Sequence, residues 1–239
     1  MKLYVVGFGA GNADGMTFAA HKAIECSDLI VGYTVYAELI KKVFPDKAYL
    51  TTAMKQETDR VRLALNEAKG GKTVSLICSG DSGVYGMAAL AYELADNVEI
   101  EVVAGVTAAL SGGAVLGAPL THDFAVISLS DLLTPWEKIE KRLCVAAEAD
   151  FVICLYNPSS KKRSDYLKKA CEIILRFKSA DTVCGYVKNI GRIGEESTVM
   201  TLAELKNAQV DMFTTVFIGN CETKLINGKM VTPRGYKNV

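Results

Sequence analysis

The sequence predicts an α/β protein built as two α/β lobes. Three observations carry that expectation. Short aliphatic or β-branched runs alternate with longer segments of helical period. A break at Ala118-Pro119-Leu120-Thr121-His122 is followed by a restart of the same alternation, so the lobes are expected at 1–119 and 120–239. Glycines recur where the apolar runs end, and open α/β sheets bind ligands at those strand ends.

Each element has its own signal. Residues 2–9 (KLYVVGFG) read as a strand buried on both faces, because an apolar run of this length fits a covered parallel strand. Residues 17–27 read as a helix, 28–32 (DLIVG) as a second strand, and 34–44 as a helix that Pro45 stops. Residues 56–71 (QETDRVRLALNEAKGG) are a charged amphipathic helix closed by a Gly-Gly stop. A strand at 73–80, a helix at 86–95, a strand at 98–105 and a small-residue helix at 106–117 follow. Beyond the break, strands are expected at 124–130, 150–157, 182–189 and 214–220, with helices at 135–149 and 164–178. Pro135 suits the first turn of its helix. Residues 197–205 read as a strand running into a short helix, and Asn227-Gly228 as a hairpin turn.

The chain has 239 residues, enough for one large domain or two small ones. Half the residues are apolar and 23% are charged, the balance of a soluble globular protein. Lys+Arg and Asp+Glu both total 27, so no basic excess points to nucleic acid or to an anionic membrane surface. MKLYVVGFGAG does not form a signal peptide, and no stretch reaches the roughly 18 apolar residues that span a bilayer. A cytoplasmic protein is expected. Cysteines at 26, 78, 144, 154, 171, 184 and 221 form no CxxC pair, and several lie in apolar runs such as FVICLY. They read as reduced thiols packed as small apolar groups, with no metal site.

Five stretches can carry chemistry. VVGFGAGNAD places Gly7, Gly9 and Gly11 after the first strand. A dinucleotide fingerprint needs glycine where Asn12 stands, and an acid at the end of the second strand, where LIVGY stands. That argues against a nicotinamide oxidoreductase. The glycines mean close approach to a ligand or tight turning. SGDSGVYG ends a strand on Asp81, which either binds a ligand ammonium or ribose or caps a helix starting near Val84. Gly80, Gly83 and Gly86 leave steric room beside it. VAGVTAALSGGAVLGAPL reads first as a closely packed helix, with Thr107 a cap or a ligand contact.

VISLSDLLTPWE ends a strand on Ser128, Ser130 and Asp131, and Asp131 is a general acid/base or an N-cap. ICLYNPSSKKR brings Leu155, Tyr156 and Asn157 to a strand end. Lys161, Lys162 and Arg163 follow, as a solvated helix start or as a grip for carboxylates. His21 and His122 are the two histidines; His122, between the lobes, is the more interesting, and no Ser-His-Asp spacing is present.

VVGFGAG followed by MTFAAHKAIECSDLIVGY resembles the N-terminal glycine loop and first helix of the tetrapyrrole (corrin/porphyrin) methylases, the class III S-adenosylmethionine-dependent methyltransferases. SGDSGVYGMA resembles their Gly-Asp-Pro loop, and AGVTAA their Pro-Gly-Val-Thr-Ala turn. The likeness runs over nearly the whole chain. GAPLTHDFAVISLSDLLTPWE, ADFVICLYNPSSKKR, VDMFTTVFIGN and TPRGY resemble the subfamily acting on C17 of precorrin-3B in cobalamin biosynthesis. Ala10, Ser82 and Ala104 stand where the family often has proline, which frees φ and adds an N–H donor in each loop.

The resemblance implies two α/β lobes with a ligand trough between them, usually as a homodimer. It implies S-adenosyl-L-methionine as methyl donor, with S-adenosyl-L-homocysteine as product. By position, the donor would contact Gly7, Phe8, Gly9, Ala10, Gly80, Asp81, Val84, Tyr85, Thr107 and Ala108, then Leu155, Tyr156, Asn189, Ile190, Thr232 and Pro233. The substrate would be a tetrapyrrole, precorrin-3B or its cobalt counterpart, methylated at C17 with ring contraction. Asp131, Ser130, His122 and Tyr85 are the polar groups available for the proton transfers of contraction. Lys161, Lys162, Arg163, Lys188, Arg192 and Arg234 would meet the substrate carboxylates. The alternatives are a methylase of this fold acting at another position, and a module that binds a tetrapyrrole or nucleoside without turnover.

Overall fold

A computed structural model describes residues 2–160 and 163–237 of the chain. It divides into two compact units, Met1–Ser111 and Gly112–Val239.

The first unit alternates strand and helix: β1 (Lys2–Gly7), α1 (Phe18–Glu25), β2 (Leu29–Tyr33), α2 (Thr34–Lys41), β3 (Ala48–Thr52), α3 (Glu57–Lys69), β4 (Thr73–Cys78), α4 (Ala88–Glu93) and β5 (Glu99–Val103). The strands form one parallel sheet in the order β3-β2-β4-β1-β5. Alternate strand residues enter two separate cores. Leu3, Val5 and Leu76 pack with Val61 and Leu65 of α3 and Ala88 of α4. Val6, Ile30 and Ile77 pack with Ile24 of α1 and Ile40 of α2. Both faces are covered, which is why these strands read as unbroken apolar runs. From β1 the chain crosses to β2 in one direction, and from β4 to β5 in the other. Right-handed crossovers then place the following helices on opposite faces. The neighbouring ends of β1 and β4 are the switch point of the sheet, where a ligand crevice opens.

The sequence reading has no counterpart for β3. AYLTT is an edge strand without a fully buried residue, so it lacks the apolar run that marks its neighbours.

Helix α5 (Ala108–Leu116) contains the division between the units. The second unit continues with β6 (Gly117–Ala118), β7 (Phe124–Ser128), α6 (Trp136–Glu148), β8 (Val152–Tyr156), α7 (Tyr166–Ile174), β9 (Val183–Lys188), β10 (Glu196–Thr201), α8 (Leu202–Leu205), β11 (Thr214–Ile218), β12 (Lys224–Ile226) and β13 (Lys229–Val231). Its main sheet has the order β10-β9-β11-β8-β7, and β12-β13-β6 form a small one. β7 and β8 are parallel, and β11 runs antiparallel to both β8 and β9. The carboxyl ends of β7, β8 and β9 therefore share one edge. One core joins Ile139 and Leu143 of α6, Leu167 and Ile174 of α7 and Leu202 of α8 to this sheet.

The close packing expected of the small-residue helix is present. A Cβ on Gly112 would lie 2.9 Å from Phe217 Cζ and 3.0 Å from Ile190 Cδ1. The segment 118–122, read as the break between lobes, is bound into the second unit. β6 pairs with β13, Thr232 N donates to Ala118 O at 3.0 Å, and Thr232 Oγ1 donates to Pro119 O at 2.7 Å. The expected hairpin turn is there, with Asn227 and Gly228 at φ 49° and 75°, the signs a type I′ turn requires.

All seven cysteines are free. Burial pushes the Cys78 thiol up to about 11 and those of Cys154 and Cys171 up to about 12, which keeps them protonated and inert. No helix among the described residues is long and apolar enough to cross a membrane.

Candidate functional site

Three loops leave the carboxyl edge of the first unit's sheet, after β1, β4 and β5, and backbone bonds join them. Gly9 N donates to Gly80 O at 3.0 Å and Gly80 N to Gly9 O at 2.8 Å, an isolated antiparallel bridge. Asp81 ties the second loop to the third. Its Oδ1 accepts from Gly83 N at 2.8 Å and Val84 N at 3.1 Å, and its Oδ2 accepts from Gly105 N at 2.9 Å. A carboxylate offers about four lone-pair positions, so three backbone donors take up most of it. Asp81 caps no helix either, since α4 starts only at Ala88.

Of the glycines expected to leave steric room, Gly80 does so, with nothing nearer than 3.6 Å to an added Cβ, and Gly83 faces the Asp81 carboxylate at 3.2 Å, whereas backbone fills the space at Gly86 and at Gly105 of the third loop. A Cβ on Gly105 would fall 2.2 Å from Gly80 O and 2.3 Å from Gly7 O, and one on Gly86 would fall 2.3 Å from Ser82 O. Ser82 is fully buried, and its Oγ donates to Val103 O at 3.4 Å. Thr17 Oγ1 accepts from Ala20 N at 3.1 Å and donates to Ala104 O at 3.1 Å, which fixes the start of α1 to the third loop.

Gly7 to Ala10, Gly80 to Tyr85, and Thr107 with Ala108 all lie along this one edge. Tyr85 stands out from it, 55% exposed and at φ 54°, an unfavourable region for a bulky side chain. Phe8 turns inward instead. It is fully buried, edge-on to Tyr36 at 5.8 Å, and brings only its backbone to the edge. The sequence reading missed Arg60, which is buried and donates to Thr52 Oγ1 and Ala53 O at 2.8 Å each. Burial pushes its pKa down. Its place beside Val61, Ala64 and Leu65 on the buried stripe of α3 was the available signal.

The carboxyl edge of the second unit holds a polar cluster. Ser128 Oγ accepts from Asn157 Nδ2 at 2.9 Å, and Asn157 sits at φ 53°. Arg163 Nη1 donates to Ser130 Oγ at 2.7 Å and reaches Asp131 Oδ1 at 3.4 Å, and its Nε donates to Ser160 Oγ at 3.1 Å. Tyr166 OH donates to Asp131 Oδ2 at 2.6 Å. That bond above all, helped by the Arg163 cation, holds the Asp131 carboxyl below the usual carboxylate range, and the same bond raises the Tyr166 phenol. Arg163 is thus already engaged by this chain's own anion and hydroxyls. Lys161 and Lys162 lie outside the described residues. Lys188 pairs with Asp211 at 3.1 Å, which raises its pKa.

The residues expected from this unit are divided between its two ends. Leu155, Tyr156, Asn189 and Ile190 share the carboxyl edge, although the Leu155 side chain is fully buried. Asn189 adopts φ 52°, with its Nδ2 donating to Gly194 O at 3.2 Å, and Arg192 N donates to Asn189 O at 2.9 Å. Thr232, Pro233, Arg234 and His122 lie by the other end. Thr232 is buried against Pro119 and Thr223, Thr121 Oγ1 donates to its carbonyl, and Arg234 Nη1 donates to Thr121 O at 3.0 Å. His122 precedes β7, whereas Ser130 and Asp131 follow it. The five residues of that strand span about 17 Å at roughly 3.3 Å each, so His122 does not join their cluster. Among the described residues no three His, Cys, Asp or Glu side chains converge as metal ligands.

The family model of the tetrapyrrole (corrin/porphyrin) methylases matches residues 2–206. The chain belongs to that family. Among the similar methylases, a Methanocaldococcus jannaschii protein named "Probable cobalt-factor III C(17)-methyltransferase" is 49% identical, over 98% of this chain and 97% of its own length. The "Cobalt-factor III methyltransferase" of Priestia megaterium is 44% identical over 99% of this chain, which spans only 45% of that longer protein. The crystal structure of the methyltransferase CobJ superposes with a TM-score of 0.86 at 32% identity, over 97% of this chain and 99% of that one. The fold is therefore that of the methylases.

Proposed function

We propose that the chain transfers a methyl group from S-adenosyl-L-methionine to C17 of cobalt-factor III, or of its metal-free counterpart precorrin-3B, with contraction of the macrocycle in cobalamin biosynthesis. The observation that carries this reading is the 49% identity to a relative of that name, over nearly the full length of both chains. The likeness takes in the glycine loops of the first unit and the polar cluster of the second.

S-adenosyl-L-methionine supplies an electrophilic methyl group on a cationic sulfur. The edge of the first unit fits such a nucleoside. Ala10, Val84, Thr107 and Ala108 are small and uncharged, so backbone groups are within reach of a ligand. The Gly9–Gly80 bridge and the Asp81 ties keep the three loops in one arrangement before a ligand arrives. Such preorganisation is how a protein aligns donor and acceptor for a direct transfer. Ring contraction adds proton transfers. Asp131, held ionised by Tyr166 and Arg163, suits the accepting role and not the donating one at neutral pH. Arg192, at the carboxyl edge of the second unit, is a cation offered to substrate carboxylates. The same reading makes the protein a homodimer of the cytoplasm.

Anaerobic incubation of the purified chain with isotopically labelled methyl donor, and with cobalt-factor III or precorrin-3B, tests the proposal. One added methyl group, with the label at C17, is expected. No gain with either substrate would overturn it. Label at another position would mark a different methylase of this fold, and tight binding without transfer a binding module.

A further inference from the structure

We propose that Tyr166 is a positioning residue, whose phenol fixes the Asp131 carboxylate at the carboxyl edge of the second unit so that Asp131 meets the bound substrate. For the substrate this rests on the methyl-transfer reading above; the pairing itself does not.

Asp131 sits on an exposed turn, where the local contact to its carboxyl comes from its own backbone amide. The next two residues, Leu132 and Leu133, are 63% and 98% exposed, so the turn has no apolar anchor at its tip. An exposed carboxylate on such a turn samples several rotamers. Two donors from a distant part of the chain remove that freedom. Tyr166 OH meets Oδ2 at 2.6 Å, and Arg163 Nη1 approaches Oδ1 at 3.4 Å. The first is a short charge-assisted bond; the second lies at the outer limit of hydrogen bonding. Tyr166 is therefore the principal constraint.

The phenol is itself held. Its ring lies 4.6 Å from the ring of Trp136, the first residue of α6, so the end of the turn and the tyrosine that grips it pack together. Lys169 Nζ stands 5.1 Å from the Tyr166 ring and pairs with Asp165 at 2.8 Å. Among the described residues, the charged and titratable groups facing the pair are Arg163, Lys169 and Asp165. The Asp131 side chain remains 34% exposed, and with Tyr166, Arg163 and its own backbone amide in place a carboxylate still has lone-pair capacity for a substrate N–H or a departing proton.

The test compares Tyr166→Phe, Asp131→Asn and the double variant in the full chain. Carbon-13 NMR of the Asp131 carboxyl, titrated without substrate, reads the pairing. Its midpoint rises in Tyr166→Phe, because the lost donor favoured the anion; an unmoved midpoint overturns the pairing. Methyl-transfer kinetics read the role. Tyr166→Phe is expected to lower kcat about 10-fold and Asp131→Asn about 100-fold, within the range of general acid–base effects, with methyl-donor affinity unchanged. The double variant should match Asp131→Asn alone, because Tyr166 acts through it. Multiplied losses of about 1000-fold, or a Tyr166→Phe rate equal to wild type, would overturn the positioning role. A wild-type chain that moves no methyl group would sink the proposed function and this role with it, while the titration still decides the pairing. In Asp131→Asn, where Tyr166 is kept, the Tyr166 phenol should titrate at lower pH than in the parent chain, a readout that does not depend on how α7 tolerates phenylalanine; an unmoved phenol overturns the pairing.

Discussion

Asp81 joins two loops through three backbone amides, and its loss leaves all three without their partner. Bonds to a charged acceptor contribute about 1.5–3 kcal/mol each and do not add fully, so Asp81→Ala should destabilise the chain by about 2–4 kcal/mol. A lower urea midpoint, together with weaker methyl-donor binding by calorimetry, is the expected outcome. Asp150 makes a pH prediction. Burial alone would raise its pKa, but bonds from Cys221 and the buried Lys178 outweigh burial and leave it lowered. A carboxyl with a lower pKa in the folded state adds stability above its unfolded value of about 3.9, and that stability is lost as the pH falls through the folded value. Denaturant midpoints measured from neutral pH down to about 3 should fall less steeply for Asp150→Ala than for the parent chain. The importance of Asp81 was legible in SGDSGVYG, but its partner Gly105 was not, because that amide lies 24 residues away.

At the scale of elements, the β1, β4 and β5 loops close only because glycine stands where they meet. In Gly105→Ala the new methyl would sit 2.2 Å from Gly80 O and 2.3 Å from Gly7 O, both backbone atoms that cannot swing aside. The loops must then part. A loss of about 3 kcal/mol or more is expected, at the upper end of overpacking costs, with methyl-donor binding abolished. Unchanged binding by calorimetry would show that this junction does not shape the edge. β1, β2 and β4 were legible as strands because helices cover both their faces. β3 was not, because a half-exposed edge strand carries a mixed sequence. The Asn227-Gly228 turn was legible because its backbone geometry depends on the two residues themselves.

At the scale of the whole molecule, 27 basic and 27 acidic side chains cancel. Proteins near zero net charge associate most readily, so solubility should be lowest close to neutral pH and rise on either side. Precipitation assays across pH 5 to 9 check this; a flat profile would mean that local patches outweigh net charge. The same cancellation means that cations offered to a polycarboxylate must be concentrated locally. The described structure commits two of those expected, Arg163 and Lys188, to the chain's own anions. Charge composition constrains association and solubility and leaves the placement of individual cations open.

The amino-acid sequence determined what depends on near neighbours: the alternation of strand and helix, the strands covered on both faces, the hairpin turn, and the loop motifs that identify a methylase. Tertiary structure alone decided which groups meet. Strand order brings Gly105 to Asp81 and packs it against the Gly7 and Gly80 backbone. The direction of β7 separates His122 from Asp131. The parallel pairing of β7 with β8 brings Tyr166 to Asp131 across 35 residues. Periodicity and turn chemistry act over a few residues and can be read along the chain. A hydrogen-bond partner is set by which strands pair, and that is a property of the assembled sheet.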